Sequence, residues 1–209
     1  MTSLLTKCAT AGCPKSFGSD TSRNVPCLAI ILLRALLFIF PCATIHAAPP
    51  SENEVKAAFI HNIAKFVEWP AAIPVQGAMR LCILGQPPFM EAAALLQGKQ
   101  IGGRVWEVRP VDSSTRMNEC RVLFIAASES GNLLRVLEEI KGNATLTVGD
   151  TNGYAAQGVM LNFYTERNKV RFEINVDAAQ RAGLKIGSQL LKLARIVQEP
   201  GATQSGGAQ

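Results

Sequence analysis

The chain has 209 residues, of which 48% are hydrophobic and 18% charged, and its formal net charge is +5. This length favours one domain, and the hydrophobic content excludes a largely disordered chain. Four basic residues and one acidic residue precede residue 48, so the rest of the chain carries a net charge of +2. Because nucleic-acid-binding domains present a clustered basic face, this charge gives no support for a nucleic-acid partner.

Residues 1–47 have the layout of a secretory signal peptide: scattered positive charges, a short apolar run and small residues before a cleavage point after Ala47. The apolar run that starts at Ala35 is too short to span a bilayer, which takes about 20 residues. Counted from Cys27, the run is interrupted by Arg34. We therefore expect cleavage and export rather than membrane anchoring.

After this leader, the chain continues with a helix over residues 52–69. Ser51 and Glu54 form a capping-box pattern at its start, and Pro70 ends it. Its apolar residues recur at helical spacing and predict a buried face: Val55, Phe59, Ile63 and Phe66. Its polar residues predict a solvent-facing side: Glu54, His61, Lys65 and Glu68.

Strand-like and helix-like segments then alternate along the chain. Strands are predicted over residues 80–84, 105–110, 122–126 and 145–148, with helices over 87–96 and 130–140. Such alternation indicates right-handed βαβ units and a largely parallel sheet covered on both faces.

The C-terminal part adds a hairpin. Two apolar-rich runs, 159–165 and 170–174, flank the polar loop 166–169 and predict two antiparallel strands. In the second run, Arg171, Glu173 and Asn175 alternate with apolar residues, which predicts one solvated face near a sheet edge. Asn175 then caps a helix that stops at Gly183, a final helix covers 189–197, and residues 200–209 form a disordered tail. The expected fold class is α/β, with three layers: a mostly parallel, mixed sheet, helices on both faces and a C-terminal β-hairpin.

Two of the six cysteines, Cys82 and Cys120, follow the leader. Each starts an apolar strand-like run, so neighbouring parallel strands would bring them together. In an exported protein this favours a disulfide, and the alternative is two separate buried thiols.

A series of short blocks resembles the YfiR family of periplasmic regulatory proteins. The blocks are KAAFIHNIAKFVEWP, LCILG, CRVLFIAAS, GD, GYA, NF, V-x-FEIN and AGL-x-IGSQLL-x-LA, in this order, and the resemblance covers nearly all of the chain beyond about residue 52. It implies a YfiR-like domain over 48–199 that restrains an inner-membrane diguanylate cyclase or sensor kinase. It also implies a homodimer, an outer-membrane lipoprotein as a further partner, and a Cys82–Cys120 bridge. A second bridge of relatives, around residues 149–159, has no cysteines here.

The residues supply little chemistry for catalysis. His61 is the single histidine after the leader, and we interpret it as a solvated helix residue. Asp150 and Asn152 lack the further ligands of a calcium loop, and the segments GKQIGG and LGQPPF lack the residues of a phosphate-binding loop. We therefore predict no catalytic residue, metal site or cofactor. A small ligand at Ser128, Glu129 and Ser130, where a strand ends, is the alternative function.

The stronger candidate is a surface around Pro70, formed by Phe66, Trp69 and Ile73 with Glu68 at its rim. Two interpretations remain open: an aromatic cluster that closes the core, or an apolar patch for a partner or a second copy. The leading hypothesis is a periplasmic regulator of a membrane signalling protein. The others are a periplasmic small-ligand-binding module and, least favoured, a hydrolase.

Overall fold

The computed structural model describes residues 49–70, 77–86, 88–112 and 117–199. The signal peptide predicted over 1–47, Ile73 of the predicted surface and the tail predicted over 200–209 lie outside these residues and stay predictions.

The described chain builds an eight-stranded mixed sheet. Its strands are β2 (Met79–Leu84), β3 (Gln100–Ile101), β4 (Arg104–Val111), β5 (Val122–Ile125), β6 (Leu146–Gly149), β7 (Leu161–Glu166), β8 (Lys169–Asn175) and β10 (Arg195–Val197). Their order in the sheet is β10-β8-β7-β6-β5-β2-β4-β3. Neighbouring strands run parallel except in the β3–β4 and β7–β8 pairs. The mostly parallel α/β sheet predicted from the sequence is thereby confirmed. A second, two-stranded sheet pairs β1 (Val67–Glu68) with β9 (Lys185–Ile186).

Helices cover both faces of the large sheet, as predicted. Within β2, Leu81 and Ile83 belong to one buried cluster while Cys82 and Leu84 belong to another, because successive side chains of a strand point to opposite faces. The first cluster holds the helices α1 (Glu52–Ile63), α2 (Met90–Ala94), α4 (Val176–Arg181) and α5 (Ser188–Leu191). The second cluster holds α3 (Leu133–Glu139) and the disulfide.

The predicted disulfide is present. Cys82 of β2 is bonded to Cys120, two residues before β5, with 5.7 Å between their Cα atoms. Strands β2 and β5 are neighbours in the sheet, and both cysteines are buried. The alternative of two separate thiols is therefore wrong.

The predicted C-terminal hairpin is also present, as β7 and β8. Its two turn residues, Arg167 and Asn168, have φ angles of +49° and +61°, as a two-residue type I′ turn requires. Asn175 caps α4 as predicted, since its side chain accepts a hydrogen bond from the backbone N–H of Ala178.

The solvated face predicted for β8 is wrong at two positions. Glu173 and Asn175 are buried, at 5% and 0% exposure. Their polar groups have partners: Glu173 accepts hydrogen bonds from Asn162 and Arg195, and the amide of Asn175 donates to the carbonyl of Ala155. Burial without such partners would be costly, so the polar network is what permits it.

The final helix predicted over 189–197 is wrong in its second half. The helix α5 ends at Leu191, and the chain then forms β10, which pairs in parallel with β8. Arg195 of β10 binds Glu173 and stacks on the ring of Tyr164 at 4.2 Å. These contacts form only when residues 195–197 are extended beside β8, which explains why tertiary structure overrides the helical pattern.

Candidate interaction surface

The predicted surface lies where α1 ends. After α1 the chain forms a 3-10 turn, Ala64–Phe66, and then β1. We call residues 66–70 the exit segment. It is fixed to the C-terminal part of the chain by antiparallel pairing of β1 with β9 and by a 2.9 Å hydrogen bond from the N–H of Gly187 to the carbonyl of Phe66.

A glycine permits this close approach. A Cβ atom on Gly187 would lie 3.1 Å from the carbonyl oxygen of Phe66. Any side chain there would push the two segments apart and lengthen the hydrogen bond that joins them. Backbone contacts thus hold the exit segment, in addition to the packing of its side chains Val67 and Trp69 against the core.

The side chains of the exit segment divide between the two interpretations. Phe66 is 44% exposed, whereas Val67 is 5% exposed and Trp69 is half-buried against the core. Trp69 therefore belongs to the core-closing cluster, and Phe66 is available at the surface. The prediction that Phe66 continues the buried face of α1 is wrong, because the 3-10 turn rotates it away from that face. The structure does not describe Ile73.

Charged residues border Phe66. Glu68 is exposed and stands directly opposite Lys185 in the β1–β9 register. Such a cross-strand pair of opposite charges favours the pairing modestly. Lys65, on the other side of Phe66, donates a hydrogen bond to the side chain of Asn62. An exposed aromatic ring with a polar border is the arrangement common at protein interfaces.

His61 occupies the last turn of α1 and is not the solvated residue predicted from the sequence. It is half-buried, and its Nδ1 accepts a 2.8 Å hydrogen bond from the indole N–H of Trp106, which is fully buried in β4. Burial lowers the pKa of His61 from its ordinary value of 6.5, and the nearby charges of Lys65 and Lys99 lower it further. The ring is therefore neutral near pH 7.

Lys56 holds the opposite end of α1, and sequence reasoning missed it. Its side chain is 8% exposed and binds the carboxylates of Glu52 and Asp150 at 2.8 and 2.9 Å. Burial lowers the pKa of Lys56, but hydrogen bonds to these two carboxylates outweigh burial and leave the pKa raised. The helical spacing does indicate this burial, because Lys56 precedes Ile60 by four residues and so lies on the buried face of α1.

At the ligand position predicted from the sequence, Ser128 and Ser130 are exposed and Glu129 is half-buried. The strands β2 and β5 end there, and the hydroxyl of Ser128 accepts a 3.2 Å hydrogen bond from the N–H of Gln86. A Cβ atom on Gly85 would lie 2.4 Å from this hydroxyl. Ser128 thus links the ends of the two strands, and the ligand site stays a prediction.

A groove of about 900 Å³ opens elsewhere, between α3, α4 and the segment after β6. Thr145, Thr147 and Met160 lie along it, and Arg181 and Glu199 form an ion pair beside it. The volume lies within the range of small-molecule sites. No sequence pattern predicted this groove, because its lining comes from segments that are distant along the chain.

Two features of the described residues bear on function. In the ranges given above, no three or more histidine, cysteine or acidic side chains come together as a metal-binding group. Each helix within those ranges is too short or too polar to cross a membrane.

Comparisons with known proteins find two solved structures and one family model that are similar to this chain. A conserved domain protein from Vibrio cholerae has 12% sequence identity and a TM-score of 0.53, with 73% of this chain and 62% of that chain covered. The ABC domain of a Streptococcus pneumoniae protein, in complex with L-Trp, has 10% identity and a TM-score of 0.47, with 69% and 60% covered. This chain spans less than two thirds of both proteins, and at such identity the first likeness shows the α/β fold alone. A family model described as YfiR/HmsC-like matches residues 53–195.

Proposed function

This chain belongs to the YfiR/HmsC-like family, and from that premise we propose that it is a non-enzymatic regulatory protein of the periplasm. It binds the outer part of an inner-membrane signalling protein, a diguanylate cyclase or a sensor kinase, and holds that protein inactive. The output that it restrains is then cyclic di-GMP signalling, where the partner is a cyclase, or kinase signalling, where the partner is a sensor kinase. The leader over 1–47 and the buried Cys82–Cys120 bridge support an exported protein.

The observation that carries this proposal is the exposed Phe66 on a backbone-anchored segment. A ring that is 44% exposed gains from burial in a partner, and aromatic residues contribute strongly to interfaces. Because the β1–β9 pairing and the Gly187 hydrogen bond already fix the segment, partner binding loses little conformational entropy in ordering it. Glu68 lies at the rim of this surface, and Trp69 packs against the core.

The mechanism is a population shift. A regulator that binds one conformation of the membrane protein more tightly favours that conformation by the difference in binding free energy. Release follows when a third component, such as an outer-membrane lipoprotein, a ligand or a second copy of the chain in a homodimer, competes for the same surface.

The test is co-purification from detergent-solubilised envelope, with the tagged protein as bait. We expect recovery of a membrane protein that carries a cyclase or kinase domain, and a loss of at least about tenfold with Phe66→Ser. Leu134→Ser is the matched control, because Leu134 is 69% exposed on α3, away from the exit segment. Equal loss with both variants, or recovery of no such membrane protein, would contradict the proposal.

The bridge is tested in the same experiment. The Cys82→Ser, Cys120→Ser double variant removes a link between β2 and the segment before β5, while the exit segment lies on the other face of the sheet. We expect the variant to lose stability by about 2–5 kcal/mol and to retain partner binding wherever it remains folded.

A second candidate function rests on the groove beside α3 and α4. If the protein is a small-ligand-binding module, a metabolite should occupy this groove of about 900 Å³. A ligand present at about 100 times its Kd stabilises by about 2.7 kcal/mol, which a thermal shift detects. A metabolite screen that raises the Tm, with the rise abolished by Met160→Trp in the groove, would favour this function over the first.

A further inference from the structure

The hydrogen bond between His61 and Trp106 depends on the protonation of His61. The indole nitrogen of Trp106 can only donate, and its side chain is fully buried in β4. Its acceptor is Nδ1 of His61, at 2.8 Å. An imidazole nitrogen accepts a hydrogen bond only when it carries no proton, so this bond requires the neutral ring with its proton on Nε2.

Adding a proton to His61 removes the acceptor. Both ring nitrogens of the imidazolium are donors, and the N–H of Trp106 then faces another N–H. A buried donor without a partner is unfavourable, and Trp106 has no exposed surface through which to reach water. The two rings must therefore separate for the proton to bind at Nδ1.

The charges around His61 oppose its protonation. Lys65, one turn further along the chain, and Lys99, in the turn before β3, are both cationic and act on the ring. The other charged residues of the elements packed against α1 are Glu91 of α2, Arg104, Glu107 and Arg109 of β4, and Lys169, Arg171 and Glu173 of β8. Glu107 is paired with Arg80 and Arg109, and Glu173 with Arg195.

The sign of the pH dependence follows. The pKa of His61 in the folded protein lies below its ordinary value of 6.5. The stabilisation that this bond supplies is therefore complete above pH 6.5 and is lost as the pH falls through the lowered pKa. Acid, not base, breaks the contact.

The position of His61 links its hydrogen bond with Trp106 to the exit segment. It lies in the last turn of α1, immediately before the 3-10 turn that places Phe66 at the surface. We propose that the His61–Trp106 hydrogen bond is a pH-sensitive switch, which fixes the end of α1 at neutral pH and loosens it in mildly acidic surroundings, so that the adjoining exit segment shifts while its pairing with β9 stays intact. The consequence for partner binding rests on the proposed function, but the switch itself does not.

The test uses the two tryptophans of the chain, Trp69 and Trp106. Trp106 reports the bond, and Trp69 lies in the exit segment. We expect both indole N–H signals in ¹H–¹⁵N spectra to shift between pH 8 and about pH 5, with one common midpoint below 6.5. Trp106→Phe leaves the Trp69 signal alone and so assigns it.

His61→Asn is the decisive variant, because its Oδ1 takes the place of Nδ1 and does not titrate. We expect both signals to become independent of pH. If the Trp106 signal of the unmodified protein stays constant, or if both signals shift equally in His61→Asn, the switch is overturned. A shift of the Trp106 signal without a shift of the Trp69 signal would also overturn it, since the bond would then titrate without affecting the exit segment. None of these outcomes depends on a membrane partner, so they are distinct from a failure of the proposed function.

Discussion

The two ends of α1 are fixed by different chemistry. At the start, Ser51 and Glu54 form a capping box, and the buried ammonium of Lys56 binds two carboxylates. At the end, a neutral histidine accepts a hydrogen bond from Trp106. One helix therefore has an end held by charges and an end held by an uncharged contact. The second end is the one that carries the exit segment.

The difference determines which end responds to pH. The pKa of Glu52 is lowered from 4.5, chiefly by its hydrogen bond to Lys56, so its contribution is complete above pH 4.5 and is lost in stronger acid. The pKa of Lys56 is raised from 10.5, so its contribution is complete below pH 10.5. Between these limits the start of α1 is insensitive to pH, whereas the end weakens below pH 6.5.

Among the changes at the two ends of α1, the largest effect is expected from Lys56→Met, which breaks the charged end. Removing one partner of a buried ion pair leaves the other unpaired, and Asp150 is 23% exposed. We expect a loss of about 2 kcal/mol in the free energy of unfolding at pH 7, measured by urea unfolding. Lys141→Met is the control, because Lys141 pairs with Glu138 on the exposed surface of α3 and should change stability by less than about 0.5 kcal/mol. Equal effects would show that the buried pair does not hold α1.

Ser51→Ala tests whether the two ends are independent. Loss of the cap should cost about 1 kcal/mol. Ser51 and His61 are separated by ten residues, about 15 Å along a helix. The effects of Ser51→Ala and His61→Asn should therefore add within about 0.5 kcal/mol. A larger coupling in the double variant would mean that the ends of α1 do not act separately.

The uncharged end is tested by the pH dependence of stability. From pH 7.5 to 5.5 the protein should lose about 0.5–1 kcal/mol, the net value of one hydrogen bond. The His61→Asn protein should show no such loss of stability, because no other histidine follows residue 61. Chemical unfolding at the two pH values measures the difference. An equal loss in both proteins would assign the pH dependence to another group.

Lys99→Gln should have the smallest effect. It removes one of the two cations that lower the pKa of His61, so that pKa rises toward 6.5. The gap between the folded and unfolded pKa narrows, and the acid-induced loss of stability becomes smaller by less than about 0.5 kcal/mol. An NMR titration of the His61 ring measures the same change as an upward shift in pKa. A downward shift would contradict this electrostatic account.

Local patterns in the sequence predicted much of the fold. The β-branched and apolar runs at residues 122–126 and 145–148 predicted the buried parallel strands β5 and β6. The polar loop 166–169 predicted the hairpin, and the two cysteines at the starts of apolar runs predicted the bridge. These features depend on neighbours along the chain or on one long-range pair. They are the kind of structure that periodicity and turn chemistry specify.

The missed features depend on partners far along the chain. The alternating pattern predicts a solvated Glu173, because local sequence does not show that Arg195, 22 residues later, binds it. Lys56 and Asp150 are 94 residues apart, and His61 and Trp106 are 45 apart. The exposure of Phe66 likewise depends on the 3-10 turn and on the approach of Gly187. Amphipathic spacing alone could identify the surface as apolar but could not separate Phe66 from Trp69.

The most direct test of the central claim is site-specific photo-crosslinking in living cells. A photoreactive phenylalanine analogue is placed at position 66 and, as a control, at position 134, which is more exposed and lies on α3. We predict a crosslink from position 66 to an inner-membrane protein with a cyclase or kinase domain, and none from position 134. A crosslink to such a protein from position 134 alone would contradict the assignment of the exit segment as the partner-binding surface.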